Sequence, residues 1–253
     1  MRYKLLRELA IYLPAADVYP YYLTLFIGGR PMLTVDKFPI ISSCEELASL
    51  VSEAGFIPFF DCGIPGFSVK DVCDRAHWFV DGVDGPWEWK SGASFAYAKL
   101  LRGKAVFISP EWYGIFACYR RDGYDFEGMY EDGLLPHGAL KIIKALEGGS
   151  VLSADLRERT GLTGKGSGFD SIIGVLQMKC FVLPSAFEYA ISKQGLPYGW
   201  GLARYALSDE KYGAEIAEAE REYTPAEARE LIVSKVAELC PKADRKRIER
   251  LIK

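Results

Sequence analysis

The sequence contains few of the residues that metal and covalent chemistry require. Its only histidines are His77 and His137, and its six cysteines include no CxxC pair. The sequence therefore has few residues from which a zinc site, or a Ser-His or Cys-His nucleophile system, could be built. Because a disulfide framework is typical of smaller secreted chains, we expect buried free thiols instead. The sequence accordingly predicts neither a metal nor a cofactor.

Long apolar segments are missing as well. No run approaches the ~18 to 20 uninterrupted apolar residues of a membrane span, and the first residues lack a small-residue cleavage site after a long apolar core. We therefore expect a cytoplasmic protein without membrane contact. The 253 residues, 49 % of them hydrophobic and 26 % charged, suffice for a substantial core in one large domain or two modest ones.

The charges are unevenly distributed along the chain. The net charge of −3 argues against a protein that coats nucleic acid indiscriminately. Residues 1–136 hold 13 basic and 18 acidic side chains, whereas residues 137–207 hold 8 and 5. The middle of the chain is its basic part, although this excess is small for strong phosphate binding.

The first region, residues 1–136, reads as a mixed α/β region with β-hairpins. Alternating runs from Tyr21 to Phe38, and a second pair around Gly103, have the pattern of hairpins. Between them, the capping-box pattern of SCEE predicts a helix that ends at Gly55, and the strand FIPFF follows.

Two further features complete this region. Ser109 and Pro110 are a suitable N-cap and first residue for the helix EWYGIFACYRR. The segment from Gly63 to Trp89 is rich in glycine, proline and aromatic residues without clear periodicity. We expect it to be ordered but irregular.

The segment after Leu140 predicts three short helices followed by a hairpin. The helices are LKIIKALE, SADLRERTGL and FDSIIGVLQMKC, and the β-type runs FVLPSAFEYAIS and WGLARYAL flank KQGLPYG. This is the order of a winged helix-turn-helix unit, which we place at residues 137–207. Residues 208–253 are predicted to be a helical tail packed on the body, since their mixed charges favour a solvated helix face over a nucleic-acid arm. The predicted fold class is therefore α+β.

DNA is the partner that a winged helix suggests. Its third helix and its hairpin would face the duplex. The stretch GLTGKGSG before the third helix offers backbone N–H groups to a phosphate, although it would serve equally as a flexible turn. The third helix itself has few base-reading side chains, as a buried core helix with a polar edge also would. Arg120 suits either a phosphate or the dipole of its own helix. The predicted DNA-binding residues are Lys165, Ser167, Ser171, Lys193, Arg204 and Arg120.

The motif PWEWK has two interpretations. An enzyme that acts on an extruded base needs flat apolar surfaces and a carboxylate or amide that positions water. Trp87, Trp89 and Glu88 would supply these groups as a base pocket. The same tryptophans would also pack well in an ordinary core.

Several motifs together resemble a known family. They are IPGFS, PWEWK, FISPEWY, YRRDGYDF, GKGSGFD, LQM and PYGW, in this order over roughly residues 45 to 212. They resemble the AlkZ-related proteins, a branch beside the winged-helix DNA glycosylases of the AlkZ type. The resemblance implies tandem winged helices around DNA and removal of alkylated or crosslinked purines.

The resemblance also implies a catalytic motif of two glutamines that position the attacking water. The matching residues here are Gln177, Met178 and Lys179, so lysine replaces the second glutamine. An amide both accepts from and donates to water, whereas an ammonium only donates. Gln177 and Lys179 are the predicted catalytic residues, and the substitution puts water activation in doubt.

Two hypotheses follow from the sequence. In the first, the protein is a DNA N-glycosylase-like enzyme in which Gln177 orients water or the sugar. In the second, it is a non-catalytic winged-helix module that binds DNA or another protein. A Gln177 side chain within a basic, aromatic-lined groove would favour the enzyme. An amide satisfied by the backbone would favour the binding module.

Overall fold

The computed structural model describes residues 33–78, 85–90, 94–164, 166, 168–191, 194–195 and 197–253, with the backbone alone at 190 and 197–200. From Thr34 onward these residues belong to one compact unit. Helices and small antiparallel sheets are both present, which confirms the predicted α+β class. The proposed boundaries at residues 136 and 207 remain predictions.

The helices of the described part of the chain range from a single turn to 15 residues, and the two longest lie in the tail. Single 3-10 turns cover Val35–Lys37 and Arg75–His77. The α-helices are α1 (Cys44–Ala54), α2 (Val69–Val72), α3 (Pro86–Trp89), α4 (Pro110–Arg121), α5 (Phe126–Glu131), α6 (Ala139–Leu146), α7 (Ser153–Thr160), α8 (Phe169–Met178), α9 (Ser208–Glu222), α10 (Pro225–Leu239) and α11 (Arg245–Ile252).

The first predicted hairpin, Tyr21 to Phe38, lies mostly outside the described residues. Its final part was predicted wrongly as strand, because Val35–Lys37 form a 3-10 turn. The backbone N–H of Lys37 donates to the carbonyl of Thr34 at 2.8 Å, which closes the chain locally. Pro39 follows and has no N–H with which to continue a ladder.

The first sheet places three strands in the order β1–β3–β2. The strands are β1 (Phe56–Pro58), β2 (Ala96–Leu101) and β3 (Lys104–Ile108), and all pairs are antiparallel. Arg102 and Gly103 turn the β2–β3 hairpin with φ of 52° and 73°. Two successive positive φ angles give the tight turn that twisted strands favour. The predicted hairpin around Gly103 is confirmed.

Helix caps follow the predicted residues. The Ser43 hydroxyl accepts from Glu46 N–H at 3.2 Å, and α1 ends at Gly55 with φ of 83°. The Glu46 carboxylate differs from the capping-box expectation, because it accepts from the N–H of Ser42 rather than of Ser43. Later in the chain, Thr224 and Glu227 form the complete capping box of α10.

The second sheet is formed by strands from the middle of the chain. Its strands β4 (Val151–Leu152), β5 (Val182–Ile191) and β6 (Pro197–Leu207) have the order β4–β6–β5 and are antiparallel. The apolar faces of α6, α7 and α8 meet β5 in one core, in which Ile142, Leu156, Leu176 and Val182 are fully buried. The three helices and the hairpin therefore lie in the predicted order.

Helix α4 is the element on which the tail packs. Gly114 lies so close to α9 that a Cβ atom there would be 2.3 Å from the Glu215 carbonyl oxygen. The hydroxyls of Tyr113 on α4 and Ser208 on α9 are 2.7 Å apart, and both residues are buried. The tail is thus part of the body rather than an appendage.

Arg121 joins the same helices to the second sheet. Its buried guanidinium donates to both carboxylate oxygens of Asp209, at 2.9 and 2.6 Å, and to the Cys180 carbonyl at 2.8 Å. Cys180 has a φ of 56°, which is unusual for a residue other than glycine. The guanidinium also lies 4.8 Å from the centroid of the Phe181 ring. The corner between α8 and β5 is therefore fixed by a cation from α4.

Candidate functional site

Gln177 is buried at the junction of α8 and the first sheet. The residue is only 1 % exposed. Its side-chain oxygen accepts from the backbone N–H of Lys99 in β2 at 3.1 Å. The next residue, Met178, accepts through sulfur from Gly103 N–H at 3.1 Å. The amide oxygen of Gln177 thus stabilises the contact between α8 and the β2–β3 hairpin, and it has little access to water or to a ligand.

Lys179 and Arg120 are also engaged by the backbone. The Lys179 ammonium donates to the Arg120 carbonyl at 3.2 Å. Arg120 is 8 % exposed and donates to the carbonyls of Leu100, Ile252 and Lys253, the last at 2.9 Å. Burial lowers the pKa of the Arg120 guanidinium, because desolvation penalises its charge. In this arrangement Arg120 holds the C-terminal end of α11 and does not face a groove.

The outer edge of α8 has little polar surface. Ser171 is exposed in the first turn of the helix. Beside it, Asp170 pairs with Arg157 of α7 at 2.6 Å, and that guanidinium lies 4.2 Å from the centroid of the Phe169 ring. The predicted phosphate ligands Lys165, Ser167 and Lys193 lie outside the described residues and stay predictions.

Arg204 stands on the central strand of the second sheet. Its Nε donates to the Glu188 carboxylate of β5 at 2.6 Å, and its Nη1 donates to the Ser150 carbonyl at 3.0 Å. The neighbouring carboxylate raises the pKa of this guanidinium. Arg204 is therefore held between β5 and the residue that precedes β4, with part of its charge compensated.

The PWEWK motif consists of α3 and the lysine that follows it. Some of its side chains are buried and others are exposed. Trp89 is 2 % exposed, and Trp87 is half-buried with its ring centroid 5.1 Å from that of Phe59 and 5.7 Å from that of Phe60. Glu88 is exposed. Trp89 packs in the core and Trp87 packs against the rings of Phe59 and Phe60, and the role of this motif as a base pocket stays a prediction.

Lys90 is the residue of this motif that the sequence did not single out. It is 8 % exposed, and its ammonium lies 4.4 Å from the centroid of Phe187, 5.2 Å from that of Trp87 and 5.7 Å from that of Tyr189. The Tyr189 hydroxyl is 3.5 Å away. Burial lowers the pKa of Lys90, partly offset by the charge of Glu88. The only signal in the sequence is a lysine directly after two tryptophans, which is too common a pattern to predict this enclosure.

We expect the substitution Lys90→Met to have an effect on stability that depends on pH. Since the lysine pKa is lower in the folded state, the unfolded chain binds the proton more tightly, and folding of the wild type is penalised at neutral pH. The Met variant should be at least as stable as the wild type at pH 7, by up to about 1 kcal/mol. The difference should shrink as pH rises toward the ordinary lysine pKa. Urea unfolding at several pH values measures it.

Lys141→Met on the exposed face of α6 is the matched control for Lys90→Met. It removes the same charge without a buried partner, so its effect should stay within about 0.5 kcal/mol at every pH. A Lys90→Met variant that is less stable than wild type at neutral pH, by an amount that decreases as pH rises past the ordinary lysine pKa, would show that the attraction of the three rings outweighs desolvation.

Two further kinds of functional feature are a metal-ligand cluster and a membrane-spanning helix. Among them, no group of three or more histidine, cysteine, aspartate or glutamate side chains is placed to hold a metal ion. None of their helices combines the length and the apolar character needed to cross a bilayer.

The described residues define an α+β fold in which two small antiparallel sheets contact each other through β2 and β5 and both contact α8. The chain belongs to the AlkZ-related family, whose model matches residues 41–253. This confirms the resemblance drawn from the motifs and extends it over the C-terminal helices. Comparison with curated proteins and with solved structures gave no match.

Proposed function

We propose that the protein binds duplex DNA through a winged helix formed by α6, β4, α7, α8, β5 and β6. The observation that carries the proposal is the sheet order β4–β6–β5, in which the short strand between the first two helices pairs with the last strand of the hairpin. Helix, strand, helix, helix and two strands in this pairing are typical of a winged helix. Membership of the AlkZ-related family supports the same proposal.

The proposed DNA surface consists of the outer edge of α8, the glycine-rich link before it and the hairpin. Ser171 is its exposed residue on α8, and Arg204 is its oriented cation on β6. Lys165, Ser167 and Lys193 are proposed as further phosphate ligands. Arg120 does not belong to this surface, because its guanidinium is buried and donates through Nη1 and Nη2 to the backbone oxygens of Leu100, Ile252 and Lys253.

We further propose that the protein binds DNA and that Gln177 does not catalyse the removal of a base. A water-positioning amide must reach both the water and the sugar carbon. Here the amide oxygen already accepts from Lys99 N–H, and the side chain is almost fully buried. This favours the non-catalytic module among the two hypotheses.

Binding to the proposed surface is tested with Ser171→Asp. A new carboxylate on the outer edge of α8 would repel phosphates, so affinity for an undamaged duplex should fall at least about tenfold at moderate salt. Fluorescence anisotropy with a labelled duplex measures the affinity. Ser52→Asp, on the exposed face of α1, is the matched control and should change it less than about twofold. Equal effects from the two variants would refute the surface.

The role of Gln177 is tested with Gln177→Ala. The variant leaves the Lys99 N–H without its acceptor, so the free energy of unfolding should fall by about 1 to 3 kcal/mol. Duplex affinity should be unchanged below the unfolding transition. The second measurement is incubation with duplexes that carry alkylated or crosslinked purines, followed by scoring of abasic sites. Neither the wild type nor the Gln177→Ala variant should produce abasic sites. Base release by the wild type that is lost in a stably folded Gln177→Ala variant would instead establish a catalytic role.

A further inference from the structure

A second charged surface lies outside the proposed winged helix. It is an open groove of about 600 Å³ between α4, α10 and α11. The residues that line it are Tyr119, Arg229, Lys246, Glu249, Arg250 and Lys253. Four of the six are cationic, which is an unusual concentration in a chain of net charge −3.

The cations of this groove are not compensated by the part of the chain that the structure describes. Within that part, Arg229, Lys246, Arg250 and Lys253 form no ion pair. The single side-chain carboxylate of the lining, Glu249, accepts from Arg245 at 3.0 Å, but the same guanidinium also donates to Glu230, so Glu249 is only partly compensated. One carboxylate against four cations still leaves the groove positively charged. Four like charges in one groove repel one another, and a bound anion would relieve that repulsion.

The sequence of α11 explains how three of these cations come together. Lys246, Arg250 and Lys253 follow one another at intervals of four and three residues, so they share a helix face. The opposite face carries Ile248 and Leu251, which are buried against the body. The helix therefore presents a cationic face because its apolar face is fixed inward.

The groove also has a fixed geometry. Arg120 donates to the carbonyls of Ile252 and Lys253 and so holds the end of α11 against α4. The Arg120 guanidinium lies 4.8 Å from the centroid of the Tyr119 ring, which lines the groove. Its buried charge adds to the positive potential there. Arg229 completes the groove from α10.

We propose that this groove binds the phosphate backbone of a nucleic-acid strand, as a contact additional to the winged helix. Seven residues of α-helix span about 10 Å, and one strand of a duplex carries a charge about every 3.4 Å of helix axis, so the cationic face matches two or three phosphates. The inference rests on the proposed DNA binding and extends its footprint to the C-terminal helices. Contacts of this kind add affinity and salt dependence without sequence specificity.

The test is the triple variant Arg229→Gln, Lys246→Gln, Arg250→Gln in the full chain. The slope of log Kd against log salt should fall by about 2 to 3, and duplex affinity at moderate salt should fall at least about tenfold. The control triple variant Lys70→Gln, Arg102→Gln, Arg247→Gln removes equal charge from exposed positions outside the groove. It should weaken binding less than about threefold.

The outcomes separate the groove from the winged helix. If the groove triple behaves like its control while Ser171→Asp still weakens binding, the groove proposal is overturned and the winged-helix proposal stands. If the groove triple loses affinity while Ser171→Asp does not, the groove is supported and the winged-helix surface fails. Calorimetric titration with inorganic triphosphate is the third arm. Triphosphate binding by a wild-type protein that binds no duplex would overturn the assignment to a nucleic-acid strand.

Discussion

Replacing Gly114 with alanine is expected to lower the free energy of unfolding by about 2 to 4 kcal/mol. The added Cβ would lie 2.3 Å from the carbonyl oxygen of Glu215 and 2.7 Å from its carbonyl carbon. Both are backbone atoms of α9, so no side-chain rotation relieves the contact, and the two helices must separate. Urea unfolding followed by circular dichroism measures the loss.

Gly174→Ala provides the matched control. Gly174 is also inside a helix, α8, but a Cβ there would meet nothing within 4 Å. Alanine should therefore stabilise the protein by about 0.5 to 1 kcal/mol, because glycine loses more backbone entropy on folding. If Gly114→Ala lowers the free energy of unfolding while Gly174→Ala raises it, the α4–α9 contact, rather than helix propensity, determines the Gly114 result. A neutral Gly114→Ala variant would contradict the close approach of the two helices.

Arg120→Met should have a similarly large effect, about 2 to 4 kcal/mol. Methionine keeps the apolar stem but leaves the carbonyls of Leu100, Ile252 and Lys253 without their donor. Since two of these carbonyls end α11, the C-terminal helix should detach first. Limited proteolysis should then cleave the variant between α10 and α11 faster than the wild type, and urea unfolding gives the total loss.

Arg229→Met is the control for Arg120→Met. It removes a guanidinium from the groove next to α11 without breaking a bond to a buried carbonyl, so stability should change by less than about 0.5 kcal/mol. An Arg120→Met variant with wild-type stability and reduced duplex affinity would instead support the interpretation of Arg120 as a phosphate ligand.

The sequence predicted local structure well, because local structure depends on neighbouring residues. Ser43 and Ser109 begin helices as hydroxyl caps should, and Gly55 ends α1 with a φ of 83°. The turn at Gly103 also has the conformation that a tight hairpin requires. The order of the three helices and the hairpin after Leu140 followed from hydrophobic spacing alone.

The candidate site was harder to predict, because its partners are distant in the chain. Gln177 contacts Lys99, and Arg120 contacts Ile252. The residues adjacent to Gln177 and Arg120 in the sequence therefore do not predict the environment of either side chain. Both residues looked polar and available, yet a buried polar side chain is retained when distant backbone groups satisfy it. Lys90 was overlooked for the converse reason, since its enclosure needs rings from β5 that lie nearly a hundred positions later.

The bonds of Arg121 restrict how the hairpin can move. A hinge needs residues whose backbone angles can change at little cost. Rotation at Cys180 would break the bond between its carbonyl and the buried Arg121 guanidinium, which Asp209 of α9 also holds in place. The root of the β5–β6 hairpin is therefore expected to move together with α4 and α9. Under the proposed function, the duplex rather than the protein has to bend when the two surfaces fit together. Flexible base-pair steps should then be preferred over stiff ones, even at positions that no side chain touches.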